Sequence, residues 1–355
     1  MNFNYSLKKA ALLALIPALF FACDNDSDDQ SPNPNPNPDP VVKTPVSVPD
    51  AAFEAFLIRQ GVDTDKEINQ QIFLEDALEK TTLFIFGDEL DEEITDLTGI
   101  EAFKNLVELH IWDSDISTID LSELTKLEAL TLAFLKLEDI DLDANTAMRY
   151  LNLRNNELQA IDLSNNQALT YISLTSNQLE QIDLSANEAL VEVSLTDNQL
   201  NSITGLEEAQ NLQFLFANVN QLTSFNIAAP QLTRLYLDQN DLTVLDVKGS
   251  TALKQLECSS NELTAIDLSE NTELIDLLFS GNQLTALDLS NNTLLEKLDL
   301  RGNDLSSLDV SMLPSLNELD VFSNGNLSCI KIAPNQTIEK VAKHDYQNLS
   351  TDGCD

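Results

Sequence analysis

The sequence predicts an α/β-type repeat solenoid, in which short strands from successive units stack side by side into one parallel sheet. Three observations predict this fold class. Aliphatic residues recur every 21 residues from Leu106 to Val321, and an asparagine recurs with them. Hydrophobic residues make up 43% of the 355 residues but aromatic residues only 6%, so the core must be aliphatic. Because a unit of this length cannot bury its own apolar face, neighbouring units must stack.

The repeating frame is L-x-x-L-x-L-x-x-N-x-L, with clear copies at A-L-T-Y-I-S-L-T-S-N-Q-L (168–179) and L-L-E-K-L-D-L-R-G-N-D-L (294–305). Eleven units carry the frame, and they start at residues 106, 127, 148, 169, 190, 212, 232, 253, 274, 295 and 316. This frame is identified as the leucine-rich repeat. The identification implies a curved array with the parallel sheet on its concave face.

Two return segments are one residue longer than the others, namely L-T-G-I-E-A-F-K-N-L (97–106) and I-T-G-L-E-E-A-Q-N-L (203–212). Here the chain resembles the internalin family, whose units carry this type of return. Most other units have the D-L-S type of return seen in bacterial surface proteins described as internalin-like. The resemblance covers about residues 46–355. It implies the repeat architecture and, by analogy only, a surface protein active in adhesion.

Asparagine recurs at one frame position, where we expect its amide to bond the backbone at the turn that leaves the strand. The positions are Asn156, Asn177, Asn198, Asn220, Asn240, Asn261, Asn282, Asn303 and Asn324.

Aspartate also recurs, usually within I-D-L-S, and it has two interpretations. Each carboxylate accepts local backbone N–H groups in an Asx-type turn, or a half-buried column of carboxylates shares cations such as Ca²⁺. No loop rich in carbonyl oxygens accompanies the column, so the sequence predicts no metal site. The positions are Asp120, Asp141, Asp162, Asp183, Asp246, Asp267, Asp288 and Asp309.

Residues 1–22 are predicted to be a lipoprotein signal peptide. Two lysines precede a twelve-residue apolar run, which is too short to span a bilayer permanently. The string L-F-F-A-C resembles the lipobox of bacterial lipoproteins, which implies acylation of Cys23. An ordinary signal peptide cut nearby is the alternative.

Residues 23–45 contain the acylated Cys23 and an acidic, Pro-Asn-rich stalk, which the alternate prolines hold in an extended form. The acidic tract after Cys23 resembles the signal that sends some lipoproteins of Gram-negative bacteria to the outer face of the outer membrane. A merely solvated charge run is the alternative. We therefore expect a surface-exposed outer-membrane lipoprotein that contacts the membrane only through its N-terminal lipid.

The eleven-unit solenoid over 106–325 is predicted to have a cap at each end, because a raw end would expose aliphatic side chains and a strand edge. Residues 46–105 are the N-terminal cap and an irregular first repeat. Asp50 is the expected N-cap of a short helix that ends at Gly61, and residues 82–86 are the expected first strand.

Residues 326–355 are the predicted C-terminal cap, because the frame stops at N-L-S-C-I. Exported chains meet an oxidising environment, so we expect a disulfide between Cys329 and Cys354 that pins the last loop. Cys258 stands where other units have leucine, and it is expected in the core.

Composition and motifs disfavour catalysis. The 19 basic and 59 acidic residues give a net charge of −40, which makes nucleic acid and anionic lipid poor partners. Only His110 and His344 could act as neutral-pH bases, and they lie at opposite ends of the array. No nucleophile elbow, zinc signature or phosphate loop is found. The prediction is a non-enzyme without a cofactor.

Strand alternation sends the variable positions of the frame to the concave face, where we expect the ligand site of a monomer. The predicted ligand-binding residues are His110, Trp112, Phe134, Tyr150, Tyr171, Phe214, Phe216, Arg234, Tyr236 and Phe322. Exposed aromatic rings are used by protein and glycan ligands alike, and they also stabilise sheets by stacking. The main hypothesis is a binding protein for a protein ligand. Glycan capture for nutrient uptake and a structural or calcium-dependent envelope protein are the alternatives.

Overall fold

The computed structural model describes residues 43–87 and 92–352. The signal peptide, Cys23, nearly all of the stalk and Cys354 lie outside the described residues. The lipid anchor and the disulfide between Cys329 and Cys354 therefore stay predictions.

The chain enters the solenoid through a small cap. Strand β1 (Pro45–Ser47) pairs antiparallel with β2 (Gln71–Phe73), and helices α1 (Ala51–Arg59) and α2 (Leu74–Ala77) belong to the same cap. The carboxylate of Asp50 caps α1, because its Oδ1 accepts the backbone N–H groups of Ala52 and Phe53, each at 2.9 Å. Its Oδ2 accepts the N–H of Thr95 at 2.9 Å, which ties the helix to the first coil. One carboxylate thus holds two parts of the cap together.

Thirteen parallel strands form the main sheet, which confirms the predicted fold class. Eleven of them belong to the eleven frame units, and one more lies at each end. In chain order they are β3 (Thr82–Phe86), β4 (Glu108–Trp112), β5 (Ala129–Ala133), β6 (Tyr150–Asn152), β7 (Tyr171–Ser173), β9 (Glu192–Ser194), β11 (Phe214–Phe216), β13 (Arg234–Tyr236), β15 (Gln255–Glu257), β16 (Asp276–Leu278), β17 (Lys297–Asp299), β19 (Glu318–Asp320) and β21 (Lys340–Ala342).

The return side carries three smaller parallel ladders. They are β8 (Gln181–Asp183) with β10 (Ser202–Thr204), β12 (Ser224–Asn226) with β14 (Val244–Asp246), and β18 (Leu308–Asp309) with β20 (Cys329–Lys331) and β22 (Asn348–Ser350). The two longer return segments also contain the short 3₁₀ helices Ile100–Ala102 and Leu206–Glu208, one in each segment. Gly205 precedes the second at φ +82°, and a Cβ there would lie 2.0 Å from the nitrogen of Ser185. The longer return therefore requires glycine.

The register of the main sheet places the same frame position of every unit side by side. Tyr150 pairs with Tyr171 and Leu151 with Ile172, and this register continues from strand to strand. Leu151 and Ile172 point inward and are fully buried. Each outward position therefore forms a column that crosses the sheet at roughly 4.8 Å per strand.

Each of the nine frame asparagines makes the same bonds at the turn that leaves its strand. In Asn177, the amide Nδ2 donates to the carbonyls of Leu153 and Leu174 at 3.0 Å, and Oδ1 accepts the N–H of Leu158 at 3.1 Å. One side chain thus satisfies three buried backbone groups in two units.

A second asparagine ladder, which the sequence analysis missed, lies on the return side. In Asn166, Nδ2 donates to the carbonyls of Leu142 and Asn145, both at 3.1 Å. The ladder consists of Asn145, Asn166, Asn187, Asn271 and Asn292, all of them buried. The sequence does contain a pattern that could have predicted this ladder, because each of its asparagines stands four residues after an aspartate of the repeating Asp column.

The C-terminal cap departs from the expectation that the repeat ends at residue 325. Strand β21 pairs with β19 and extends the main sheet beyond the eleven units, while β20 and β22 extend the return ladder. Gln347 takes over the asparagine role, since its Nε2 donates to the carbonyl of Val321 at 3.3 Å. The frame residues change there, but the coil continues. Cys258 is a buried free thiol, and burial raises its pKa.

We predict that Asn166→Ala lowers the free energy of unfolding by about 2–4 kcal/mol, because two buried carbonyls lose their donor. Asn165→Ala is the matched control. Its exposed side chain bonds only Asp143, so we expect a change within about 0.5 kcal/mol. Urea unfolding followed by circular dichroism measures both. Equal effects of the two substitutions would contradict a stabilising return-side ladder.

Candidate binding face

The structure places the ten predicted ligand-binding residues on one face. Eight of them lie in strands of the main sheet, Phe134 directly follows β5, and Phe322 lies two residues after the end of β19. They are not one continuous surface. They divide into a group at the N-terminal end, a larger central group, and a single residue near the C-terminal end.

His110, one of the predicted contact residues, is only 2% exposed, which corrects the sequence interpretation. Its ring stacks between those of Phe84, at 4.9 Å between centroids, and Trp112, at 5.6 Å. Its Nδ1 lies 2.9 Å from the hydroxyl oxygen of Thr131. Burial lowers the pKa of His110 to about 4, so the ring is neutral at pH 7. His110 supports its neighbours and does not present a surface to a ligand.

The N-terminal group contains two aromatic residues that the sequence analysis did not assign to the face. Phe84 and Phe86 lie in β3, and Phe86 stacks on Trp112 with centroids 5.1 Å apart. The segment T-L-F-I-F was assigned to the cap, although its alternation of inward and outward residues matches the repeat strands. Of this group, Trp112 is half-buried and keeps part of its ring accessible.

The stacked side chains of Tyr150 and Tyr171, which we call the tyrosine pair, lie near the middle of the face. Their ring centroids are 4.5 Å apart and their planes differ by 6°. Burial raises the pKa of both phenols, and the charge of the nearby Arg154 opposes that rise. The tyrosine pair is therefore uncharged at physiological pH.

Next to the tyrosine pair, the guanidinium of Arg154 lies over the ring of Phe134, 5.2 Å from its centroid. Phe134 is 45% exposed and has φ +59°. A left-handed backbone costs a residue with a side chain about 1–2 kcal/mol relative to its usual conformation. The ring is thus held, at a cost in stability, where it gains little from burial.

A second aromatic cluster lies on β11 and β13. Arg234 lies over Phe214 at 5.3 Å, and Phe216 meets Tyr236 edge to face at 5.0 Å. The hydroxyl of Tyr236 donates to Oε1 of Gln255 at 3.2 Å. The rings are half-buried and leave part of their surface free.

The two clusters join into one surface, the central band, which is the outward face of β6, β7, β9, β11 and β13. Glu192 on β9 pairs in register with Tyr171 on one side and Phe214 on the other. Four strand spacings give the band a width of about 19 Å. Between the rings of the two clusters, β9 contributes Glu192 and Ser194.

Phe322 does not belong to the central band. It is 39% exposed and packs edge to face on His344, 4.6 Å between centroids, in the C-terminal cap. The strands between it and the band carry an acidic surface. Burial, and for Glu257 the neighbouring carboxylate, raise the pKa values of Asp238 and Glu257.

The aspartate column is exposed, which corrects the expectation of half-buried carboxylates. Each Asp accepts the backbone N–H two residues later; Asp162, for example, accepts that of Ser164 at 2.9 Å. This hydrogen bonding lowers the pKa of Asp162. Over residues 43–87 and 92–352, no group of three His, Cys, Asp or Glu residues could hold a metal ion. The geometry is that of an Asx-type turn.

No protein-family model matches the chain, and no curated protein matches it. Solved structures do. The functional domain of InlJ from Listeria monocytogenes is 28% identical over 86% of this chain and 72% of that one, with a TM-score of 0.72. The internalin InlF from the same organism is 23% identical over 83% of this chain and 100% of that one, with a TM-score of 0.60. The plant peptide hormone receptor RGFR1, in complex with RGF2, is 19% identical over 76% of this chain and 52% of that one, with a TM-score of 0.53.

The fold and the face define a leucine-rich-repeat protein. With its longer return segments and its similarity to InlJ, the chain is an internalin-like leucine-rich-repeat protein. Within the part of the chain that the structure describes, no helix is long and apolar enough to cross a membrane.

We predict that protonation of His110 destabilises the fold in acid. The folded-state pKa of about 4 lies below the ordinary histidine pKa of 6.5, so the unfolded chain binds the proton first as the pH falls. Stability from this residue is intact above pH 6.5 and decreases by about 1 kcal/mol per pH unit down to pH 4. His110→Phe keeps a stacked ring without a proton. The stability difference between wild type and His110→Phe, measured by urea unfolding from pH 7.5 to 4, should shrink or reverse in acid. A constant difference would contradict this account.

Proposed function

We propose that the chain is a non-catalytic, surface-anchored binding protein that holds a protein ligand on the concave face of its sheet, as in adhesion. One observation carries the proposal, namely the central band. Its partly exposed rings, on Tyr150, Tyr171, Phe214, Phe216 and Tyr236, present a rigid apolar surface with hydroxyl groups. Such rings provide large contact area at a small cost in side-chain entropy.

The uneven composition of the face supports a ligand role more strongly than a role in sheet stability. If the rings only stabilised the sheet, any outward position would serve equally well. They are instead concentrated at the N-terminal end and in the central band, while β15 to β19 carry mainly charged groups. The repeat itself is satisfied by leucine and asparagine, so the band is free to match a ligand.

The similar structures support a protein as the ligand. Leucine-rich-repeat folds of the internalin type are typical of protein–protein interaction domains, and the RGFR1 structure contains its peptide hormone. Internalins also give the adhesion proposal its precedent, by analogy. Glycan capture is retained as an outcome that the experiment below can detect.

We propose further that Cys23 carries a lipid that anchors the protein at the outer face of a Gram-negative outer membrane. The L-F-F-A-C string and the following acidic tract support this location, and the Pro-Asn-rich stalk suits a spacer between membrane and solenoid. One lipid-modified residue then gives the only membrane contact of a monomeric protein.

The ligand experiment is a binding screen of purified protein on mixed protein and glycan arrays, with and without EDTA. The test variant replaces Trp112, Tyr150, Tyr171 and Tyr236 with alanine. The control variant replaces Val244, Leu294 and Met312 with alanine. These three residues are apolar and exposed, and they lie outside the main sheet. We expect a protein ligand whose affinity falls roughly 100-fold or more in the test variant and stays unchanged in the control, because buried rings dominate interface energy.

Circular dichroism checks that both variants are folded. Binding that is indifferent to the four aromatic residues would refute a ligand site on the concave face. Binding only to glycans would replace the protein ligand by the alternative. Loss of binding in EDTA would point to a cation requirement that the Asx-type turns do not explain.

The anchor is tested by expressing Cys23→Ser beside wild type in a Gram-negative host fed with labelled palmitate. We expect wild type to be labelled and membrane-bound, and Cys23→Ser to be unlabelled and released, because thioether-linked acylation requires the thiol. Accessibility of wild type to added protease on intact cells reports the outer face. Equal labelling of the two proteins would contradict a lipid at Cys23.

A further inference from the structure

Two arginines of the central band lack the acidic partners that a third arginine on the same face has. Arg301 pairs with Asp299 at 2.7 Å and with Asp320 at 3.4 Å. Arg154 and Arg234 form no ion pair among the described residues, although acidic residues outnumber basic ones 59 to 19 in the chain. Arg234 still faces Glu192, whose pKa it lowers against the effect of burial. Arg154 is the arginine with unmatched charge.

Hydrogen-bond donors surround Arg154. It occupies the frame position after β6, next to the tyrosine pair, and its charge acts on both phenols. Asn152 and Ser173, one outward position before the loop, interact with the hydroxyls of Tyr150 and Tyr171 respectively. The carboxylate of Glu192 also acts on both phenols, but its own charge is opposed by Arg234 and not by Arg154.

The strained Phe134 positions this arginine. Its ring lies under the guanidinium at 5.2 Å, and stacking leaves the edge of the guanidinium, with its N–H donors, free. The corresponding residue of the next unit is Asn155, also at positive φ, so a polar residue satisfies the backbone there without strain. A phenylalanine at this position is therefore explained by what it supports.

We infer that Arg154 and the tyrosine pair form an oxyanion subsite, which takes the carboxylate of an aspartate or glutamate side chain presented by the protein ligand. The inference rests on the proposed function for the identity of the partner. Arginine binds carboxylates through two parallel N–H donors, and the phenol hydroxyls and the positive ring edges add to that attraction.

The geometry of the tyrosine pair favours an acidic side chain over an acidic sugar. A sugar ring packs on an open aromatic face, but each tyrosine covers one face of the other at 4.5 Å. The stacked pair therefore has less open ring surface for a sugar, whereas a small planar carboxylate needs only the N–H edge of Arg154.

The test is a titration of purified protein with the tripeptide Gly-Glu-Gly, followed by NMR of the arginine Nε–H groups. All peptides are N-acetylated and C-amidated, so the glutamate side chain is the only carboxylate that they present. The chain has five arginines, so each resonance can be assigned by substitution. Gly-Gln-Gly is the neutral isostere, and D-glucuronate with D-glucose forms the sugar arm. We expect a saturable shift of the Arg154 resonance with Gly-Glu-Gly at millimolar concentration, and none with Gly-Gln-Gly.

Three variants make the test specific. Arg154→Gln should weaken binding of Gly-Glu-Gly about tenfold or more, since the charge-assisted pair is lost. Arg301→Gln is the matched control, because Arg301 holds the same frame position but is already paired, and it should change affinity less than about twofold. Phe134→Asn relieves the strained backbone, so it should stay folded and still weaken binding by mispositioning Arg154.

Equal binding of Gly-Gln-Gly, equal loss in Arg301→Gln, or no saturable shift up to about 50 mM peptide would overturn the subsite. Tighter binding of D-glucuronate than of Gly-Glu-Gly would overturn the protein carboxylate in favour of an acidic sugar. Failure of the array screen with a positive peptide titration would refute the proposed function and leave the subsite. A positive array screen with a negative peptide titration would refute the subsite and leave the proposed function.

Discussion

The structure depends on satisfying the backbone at the two turns of every coil. An aliphatic core supplies no hydrogen-bond partner, yet the turns of a parallel coil leave carbonyls and N–H groups pointing at it. The asparagine amides fill this need after the main strand in nine units and on the return side in five. Each amide reaches into the preceding unit and therefore also fixes the distance between units. Leucine burial gives the solenoid its stability, but asparagine gives it one register.

That register is what makes a binding face possible. Because each unit repeats the same turn, the residue before the frame-asparagine position takes a left-handed backbone in all eleven units, with φ between 55° and 66°. Outward side chains of successive strands then line up in columns, and a ligand meets aligned residues from several units. Phe134 and Val219 are large residues at the left-handed position, where other units have polar residues or glycine. Their strain is tolerated because neighbouring turns over-determine the backbone.

The sequence predicted those features that repeat, because a position that keeps its residue type in most of the eleven units is recognisable even where single units deviate. The frame, the leucine core and the strand-end asparagines could be assigned from spacing alone. His110 could not, since its burial depends on Phe84 of the neighbouring strand and on Trp112 of its own strand, and no local pattern reports such packing. Strand β21 was missed because the C-terminal coil keeps the geometry but replaces asparagine by Gln347. Strand alternation predicted that the central-band residues share one side of the sheet, but their grouping required the register.

Net charge and local charge act on the ligand in different ways. A chain at −40 repels an acidic partner at long range, but physiological salt screens that field beyond about 8 Å. Inside that distance the ligand meets Arg154, which forms no ion pair among the described residues, and contact pairs are screened much less there. The long-range field therefore acts mainly on the association rate, and the local pair acts mainly on the dissociation rate. The negative net charge therefore disfavours the binding of anions in general. Arg154, supported by the ring of Phe134, still allows the protein to bind an anion that a ligand presents in the correct geometry.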